Sequence, residues 1–166
     1  MIKEVVVLFA LIPTVLWINA FKINWNAMYP TLKNNEYKYT VKVDTYNRND
    51  IIVFRPWVSK DRTFFVKRII WLPWEELKIK DWKIYIKENG VFKELEENFL
   101  DKENKWRTFI MNSTKEAIFK IPEWKFFVLW DNRNHSVDSR TCFSYKCFDW
   151  WRDEFVNKKN IIWVIN

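Results

Sequence analysis

The chain has 166 residues, with 28 Lys and Arg against 21 Asp and Glu and a formal net charge of +7. That length suits one compact domain with a hydrophobic core plus a short membrane anchor. The basic residues are scattered singly and form no long run. The charge therefore favours a solvated surface, or at most contact with lipid headgroups, and argues against a nucleic-acid partner.

An apolar segment opens the chain. Val5–Ala20 is mostly apolar but slightly shorter than the roughly 20 residues that a membrane-spanning helix needs. A cleaved signal peptide is the alternative, because the last residue of the segment is small. The N-terminal region has one Lys and one Glu, which is atypical of a cleaved signal peptide, so a retained single-pass signal-anchor is predicted over residues 1–22. Lys3 supports an N-terminus inside the cell. Residues 23–166 are then predicted to form an extracytoplasmic domain at the cell membrane.

From Tyr37 onward the chain reads as short strands. Apolar and polar residues alternate with the period of half-buried strands, between stretches of turn residues. The predicted strands and hairpin are Tyr37–Val43, Ile51–Phe54, Thr63–Ile70, Leu77–Ile86 and Lys125–Leu129. Residues 87–120 are polar and irregular. The predicted fold class is mainly β, preceded by one N-terminal transmembrane helix.

The glycine and tryptophan contents are abnormal. Soluble proteins contain about 7% glycine, whereas this chain has one glycine and 12 tryptophans. Trp82 follows Asp81 between two strands and Trp74 follows Pro73, both of which are turn positions typical of glycine. Such positions need φ > 0, which glycine adopts freely and tryptophan does not. We hypothesise that most tryptophans are glycines in the native organism, because some bacterial lineages read UGA as glycine. A genuinely tryptophan-rich protein is the alternative.

Three stretches hold residues with candidate chemistry. The first, INWNAMYPTL over Ile23–Leu32, directly follows the apolar segment. The second places Lys67 in the apolar run TFFVKRII. A lysine there either extends its amine to water at a strand edge or, when buried, serves as a neutral general base. The third is WDNRNHSVDSR over Trp130–Arg140, which taken alone reads as a polar surface loop.

These stretches resemble sequence boxes of the bacterial type I signal peptidases. Met28–Leu32 is similar to the end of the nucleophile box G-x-S-M-x-P-T-L, with Ala27 at the serine position and Trp25 at the glycine position. Val66–Glu75 is similar to V-K-R-V-I-G-L-P-G-D, and Trp130–Arg140 to G-D-N-R-x-x-S-x-D-S-R. Tryptophan stands at every glycine position of these last two boxes.

A fourth box and the order of all four extend the resemblance over nearly the whole chain. Residues 49–56 are similar to G-D-I-V-V-F-R-x-P, with Asn49 where the glycine usually stands. Residues 87–120 take the place of the family's variable second lobe and are short. The resemblance implies that the mainly β domain is built of antiparallel sheets.

The resemblance also implies a Ser/Lys dyad that needs no cofactor and no metal. Ala27 marks the nucleophile position, Lys67 the general base, and Ser136 the hydroxyl that bonds the lysine. The positions that support this site are Met28, Pro30, and the ion pair of Asp138 with Arg140.

The implied substrates are signal peptides of exported preproteins, cleaved after small residues such as alanine. The peptide would lie as an added strand beside two segments of the chain. These segments consist of Ile23, Asn24, Trp25, Asn26, Phe64, Phe65 and Val66. The backbone N–H of residue 27 would bind the oxyanion, with or without a hydroxyl on that residue. The enzyme is expected to act as a monomer beside membrane lipid.

Ala27 leaves two explanations open. One is a Ser→Ala change, natural or introduced, in a working peptidase whose supporting residues remain. The other is a pseudo-enzyme that binds signal peptides or other extended peptides without cutting them. A membrane-anchored structural module without peptide binding is a third class, and the four boxes argue against it.

Two cysteines and one histidine complete the candidate residues. Cys142 and Cys147 would form a disulfide outside the cytoplasm, or else remain free thiols. A zinc site needs more ligands than these cysteines and His135 supply. His135 falls at a variable position of its box and is interpreted as an ordinary loop residue.

Overall fold

The structure is a computed structural model that describes residues 19–57, 63–105, 107–109, 116–134, 137–143 and 153–166. Three of the residues named from the sequence as candidates for chemistry, ligation or a disulfide lie outside these ranges. They are His135, Ser136 and Cys147.

The larger of two antiparallel sheets has seven strands in the order β1-β2-β11-β3-β4-β9-β10. Its strands are β1 Asn19–Lys22, β2 Tyr37–Val41, β3 Ile51–Phe54, β4 Phe65–Trp71, β9 Lys125–Leu129, β10 Val156–Asn157 and β11 Ile161–Ile165. Strand β4 is an internal strand, with β3 and β9 as its neighbours. A short 3-10 helix over Ser139–Thr141 follows β9, and a second one over Lys158–Asn160 precedes β11.

The smaller sheet has four strands in the order β7-β6-β5-β8. They are β5 Glu76–Lys80, β6 Lys83–Glu88, β7 Val91–Glu94 and β8 Glu116–Lys120. The mainly antiparallel β architecture predicted from the sequence is confirmed by this topology.

Three apolar clusters hold the sheets together. One joins the two sheets, because Leu77 and Ile84 of the smaller sheet pack with Ile70, Phe127 and others of the larger one. A second covers one face of the larger sheet around Ile52, Phe54 and Val128. The third places Met28 and Leu32 against Val53 and Ile165, so it seats the chain after β1 on the larger sheet. Burial of each such side chain contributes about 1.5–3 kcal/mol.

Several predicted elements match the structure closely. Strands β3 and β9 have the predicted bounds, and the hairpin of β5 and β6 turns at Asp81 and Trp82. The prediction that residues 87–120 are irregular was wrong in part, since β7 and β8 lie within them. Both are edge strands of the smaller sheet, with mostly exposed or half-buried residues that give little apolar alternation.

The N-terminal prediction differs from the structure at its last residues. Residues 19–22 were assigned to the membrane segment, but they form β1, with Ala20 paired to Tyr39 and Lys22 to Tyr37. Residues 1–18, on which the helix prediction mainly rests, lie outside the described residues. Within the part of the chain that the structure describes, no helix is long and apolar enough to cross a membrane.

Four tryptophans lie at backbone positions that favour glycine. Their φ angles are 85° at Trp25, 71° at Trp74, 68° at Trp82 and 60° at Trp124. All four side chains are more than half exposed, so they bury little area, although Trp82 contacts Phe109 and the Lys158 amine lies over Trp124. Asn49, at another glycine position of the resemblance, has a φ of 73°. Left-handed backbone is strained for a bulky side chain, whereas asparagine adopts it more readily.

Two other tryptophans bury a polar group without a partner. Among the described residues, the indole N–H groups of Trp71 and Trp130 are buried and have no hydrogen-bond acceptor. A buried donor left unsatisfied costs about 1–3 kcal/mol. Glycine at either position would carry no such group.

Candidate active site

The turn that carries residue 27 lies over the larger sheet. Tyr29 donates its N–H to the Asn26 carbonyl at 3.2 Å, and Leu32 donates to the Met28 carbonyl at 2.9 Å. The Met28 side chain is 1% exposed and packs in the cluster that Val66 borders. We call residues 26–32 the residue-27 turn. Its position places residue 27 near the strand that carries Lys67.

Lys67 is a buried lysine in the middle of β4. Its side chain is 2% exposed, and its Nζ donates to the Val66 carbonyl at 3.0 Å. The rings of Phe65 and Trp130 lie over the amine, with their centroids 4.6 and 4.4 Å away. Burial lowers the pKa of Lys67 well below its ordinary value, and the charge of Asp138 opposes that shift. A neutral amine in this position can accept a proton.

Asp138 and Arg140 form a fully buried ion pair behind the lysine. The Arg140 Nη2 lies 2.8 Å from an Asp138 carboxylate oxygen, and the Arg140 backbone N–H donates to the same carboxylate. Burial alone would raise the pKa of Asp138, but the charge and hydrogen bonds of Arg140 outweigh it and lower that pKa. The Asp138 carboxylate also accepts a hydrogen bond from the backbone N–H of Trp130, and it caps the Ser139–Thr141 helix. Ser136, predicted to bond the lysine, lies outside the described residues.

One edge of β4 is only partly paired. Phe65, Val66 and Lys67 pair with β3, whereas pairing with β9 begins at Arg68. Within the described ranges, no ladder to β9 includes the first three residues of β4. An extended peptide could therefore add to that edge, beside three of the residues predicted to contact substrate: Phe64, Phe65 and Val66.

The segment predicted to flank the peptide on the other side is less open than expected. Ile23 is 3% exposed, and its N–H and carbonyl bond Glu36 and Asn35. The Trp25 N–H bonds the Asn34 side chain at 2.9 Å. Ile23 is therefore part of the core rather than a free strand edge. Asn24 and Asn26 are exposed, and Pro30 follows a cis peptide bond.

A buried ion pair missed by the sequence interpretation is the centre of a network that joins all four boxes. The Arg68 guanidinium binds the Asp131 carboxylate, with contacts of 2.8 and 2.6 Å. Thr31 of the residue-27 turn donates its hydroxyl to Asp131, and Arg68 also donates to the Asn49 carbonyl at 2.9 Å. Arg68 and Asp131 stand at fixed positions of their boxes, and this was the feature of the sequence from which a role for them could have been predicted. This network fixes the residue-27 turn to β4 and to the loop after β9.

We expect Asp131→Asn to destabilise the protein by about 3–5 kcal/mol, because it leaves the buried Arg68 charge without a partner. Chemical denaturation of the full chain in detergent would measure the loss. The control is Glu88→Gln, which breaks the exposed pair with Lys93 and should leave the denaturation midpoint nearly unchanged, because solvent screens such a pair. Equal losses in the two variants would contradict a structural role for the buried pair.

The described residues include one of the two cysteines, and they bear on the question of a metal site. Cys142 is disulfide-bonded, and Cys147, its predicted partner, lies outside the described residues. Among the residues that the structure describes, no group of three or more His, Cys, Asp or Glu side chains could hold a metal ion.

Comparison with known proteins identifies the family. A family model described as "Signal peptidase, peptidase S26" matches residues 2–164 of the chain. The chain belongs to the signal peptidase family. The resemblance inferred from the four boxes is thereby confirmed at the level of the family.

Individual relatives agree with this assignment. Signal peptidase I S of Bacillus subtilis (strain 168) is 35% identical over 127 residues, which cover 72% of this chain and 65% of the relative. Signal peptidase I U of the same strain is 34% identical over 150 residues, covering 84% of this chain and 75% of the relative. A solved signal peptidase I from Enterococcus faecalis V583 matches with a TM-score of 0.52 at 28% identity, covering 75% of this chain and 100% of that one.

Proposed function

We propose that this chain is a membrane-anchored serine endopeptidase that removes signal peptides from exported preproteins, and that the form with Ala27 is inactive. The observation that carries the proposal is Lys67, a lysine with 2% exposure and a depressed pKa on β4. A buried amine of this kind contributes little to stability, but it is the base that a Ser/Lys dyad requires.

The proposed reaction needs a serine at position 27. The neutral amine of Lys67 takes the hydroxyl proton, and the oxygen attacks the scissile carbonyl. The backbone N–H of residue 27 stabilises the oxyanion. The lysine then gives its proton to the leaving amine, and water hydrolyses the acyl-enzyme with the lysine again acting as base. With Ala27 the first step has no nucleophile, whatever the state of the lysine.

We also propose that seven tryptophans are glycines in the native protein. The support is the left-handed backbone of four of them and the unsatisfied indole N–H of two others. The seventh, Trp163, lies in Asn160–Val164, which is similar to the family's closing I-I-G strand. The seven positions are Trp25, Trp71, Trp74, Trp82, Trp124, Trp130 and Trp163. We call the chain with glycine at all seven the glycine-restored chain.

Trp130 connects this second proposal with catalysis. Its ring lies 4.4 Å from the Lys67 amine, at the point where the chain leaves β9. Such a ring occupies space beside the amine that a substrate and a serine hydroxyl would need. Glycine at position 130 would open that space while keeping the backbone N–H that bonds Asp138.

The experiment that tests the peptidase proposal uses the glycine-restored chain with Ala27→Ser and a labelled preprotein in detergent. Cleavage after a small residue supports it. The second candidate function, favoured by Ala27 itself, is a pseudo-enzyme that binds extended peptides. A folded serine variant that binds the preprotein without cutting it would favour that candidate.

The proposed topology places residues 1–18 in the membrane and the β domain on the extracytoplasmic face. We expect protease added to spheroplasts to digest the domain, since the membrane does not shield it. A cytoplasmic marker protein should stay intact in the same sample. Full protection of the domain alongside that marker would place it in the cytoplasm and contradict the topology.

A further inference from the structure

The loop that leaves β9 is anchored at alternate residues. Asp131 is 0% exposed and is held by Arg68 and Thr31. Arg133 is also 0% exposed, and its guanidinium bonds Glu97, the Thr108 hydroxyl and the Trp130 carbonyl. The residue between these two anchors is therefore fixed in position without being part of the core.

That residue, Asn132, contacts the residue-27 turn twice. Its backbone N–H donates to the Ala27 carbonyl at 3.0 Å. Its side-chain Nδ2 donates to the Asn26 carbonyl at 3.2 Å. One residue, more than a hundred positions away in sequence, thus holds two successive carbonyl groups of the turn.

These two carbonyls belong to the two peptide planes that flank the Cα atom of residue 27. In a trans peptide the C=O and the following N–H point in opposite directions. Holding the Asn26 carbonyl towards Asn132 therefore directs the N–H of residue 27 to the opposite side, where an oxyanion would be bound. Because both planes are fixed, φ and ψ of residue 27 are fixed, and so is the direction of its Cβ.

We propose that Asn132 is a positioning residue that aims the side chain and the backbone N–H of residue 27 at the substrate carbonyl; this inference rests on the proposed peptidase function. The packing of the turn does not depend on the Asn132 side chain, since Met28 and Leu32 are buried in their own cluster. Loss of the side-chain donor should leave the fold intact and loosen only the peptide between residues 26 and 27.

The test is Asn132→Asp in the glycine-restored full chain with Ala27→Ser. The variant keeps the backbone bond to residue 27 but places a carboxylate oxygen against the Asn26 carbonyl. We expect kcat to fall about 10- to 100-fold, because misplacement by about 1 Å costs on that order, with KM changed less than about 2-fold. Thermal unfolding should show that the variant is folded.

The matched control is Asn134→Asp, two residues away in the same loop. Asn134 accepts a hydrogen bond from Arg107 through its Oδ1, which an aspartate can still accept. The control therefore carries the same added charge without disturbing residue 27, and its kcat should stay within about 2-fold of the parent. Equal effects of the two variants on kcat, or an effect of Asn132→Asp on KM alone, would overturn the proposal.

A second measurement does not depend on catalysis. In the chain with Ala27, the rate of amide hydrogen exchange at Tyr29 reports how firmly the Asn26 carbonyl is held, because the Tyr29 N–H donates a hydrogen bond to that carbonyl. Asn132→Asp should speed that exchange about tenfold, and Asn134→Asp should leave it unchanged. If exchange responds in this way but the serine chain is inert, the peptidase function fails while the positioning contact stands. No difference between the variants overturns the positioning role itself.

Discussion

Ala27→Ser in the glycine-restored chain is expected to cut a preprotein that the Ala27 form binds and leaves whole. The new hydroxyl extends from the Cβ that is already in place, in a turn held by Asn132 and by the buried pair of Arg68 with Asp131. Without a positioned nucleophile the Ala27 form has no route to the acyl-enzyme. Labelled preprotein in detergent, separated by size, would measure the gain.

Adding Lys67→Ala to the serine form should lower kcat by about 10²–10⁴-fold, the range for loss of a general base. The control is Lys93→Ala, which removes an exposed lysine that pairs with Glu88 and should leave kcat unchanged. A serine form whose activity is the same with and without Lys67 would contradict the dyad.

The pH dependence of cleavage follows from the direction of the Lys67 shift. Burial holds its pKa well below the ordinary lysine value, with Asp138 opposing. Only the neutral amine can accept the serine proton, so kcat should rise as the pH increases through the folded-state pKa and level off above it. A kcat that falls as the pH rises through this pKa would exclude the neutral amine as the base.

Replacing Trp25, Trp74, Trp82 and Trp124 by glycine is expected to stabilise the protein, because each relieves a left-handed backbone that costs about 1–3 kcal/mol. The side chains are more than half exposed, so little buried area is lost in exchange. The four changes together should raise the free energy of unfolding by several kcal/mol, a large part of the roughly 5–15 kcal/mol of a typical domain.

The control for this series is Trp57→Gly. Trp57 is 49% exposed, like the others, but its φ is not left-handed, and its indole donates to the Asp153 carbonyl. Glycine there should reduce stability. If all five substitutions shift the denaturation midpoint alike, backbone strain is not the cause. The source gene gives a second check, since seven UGG codons at the proposed positions would rule out UGA recoding.

The sequence predicted those strands that carry a local signal of their own. The alternation in β2 and the apolar runs of β3 and β9 are properties of the strands themselves. Strands β7 and β8 could not be read in this way, because Val91 and Ile118 are exposed and both strands form by pairing with a neighbour in the smaller sheet. Strand β8 pairs with β5, which is distant in sequence, so no local pattern records it. Strand β7 pairs with the preceding β6 through Asn89 and Gly90, which both have positive φ, and this Asn-Gly hairpin signal was missed.

The candidate site likewise contains residues that the sequence indicated and residues that it did not. The boxes indicated Lys67, Asp138 and Arg140, because the resemblance assigns them roles. Arg133 and Asp131 carry charges that composition would place at the surface. Their burial depends on partners that are distant in sequence, such as Glu97, 36 residues away. Only the folded chain brings such pairs together.

The position of β1 has a consequence for substrate choice. With residues 1–18 in the bilayer as proposed, β1 would begin at the membrane surface with Asn19. Residue 27 comes five positions after Lys22, the last residue of β1, a reach of at most about 17 Å for extended chain. Under that topology, residue 27 would lie within a narrow range of heights above the lipid. A preprotein would then be cleaved only if its scissile bond lies at the same height. The length of chain between its apolar segment and that bond would therefore decide whether it is a substrate. We expect preproteins with a few residues inserted in that interval to escape cleavage even when the residue before the scissile bond is alanine.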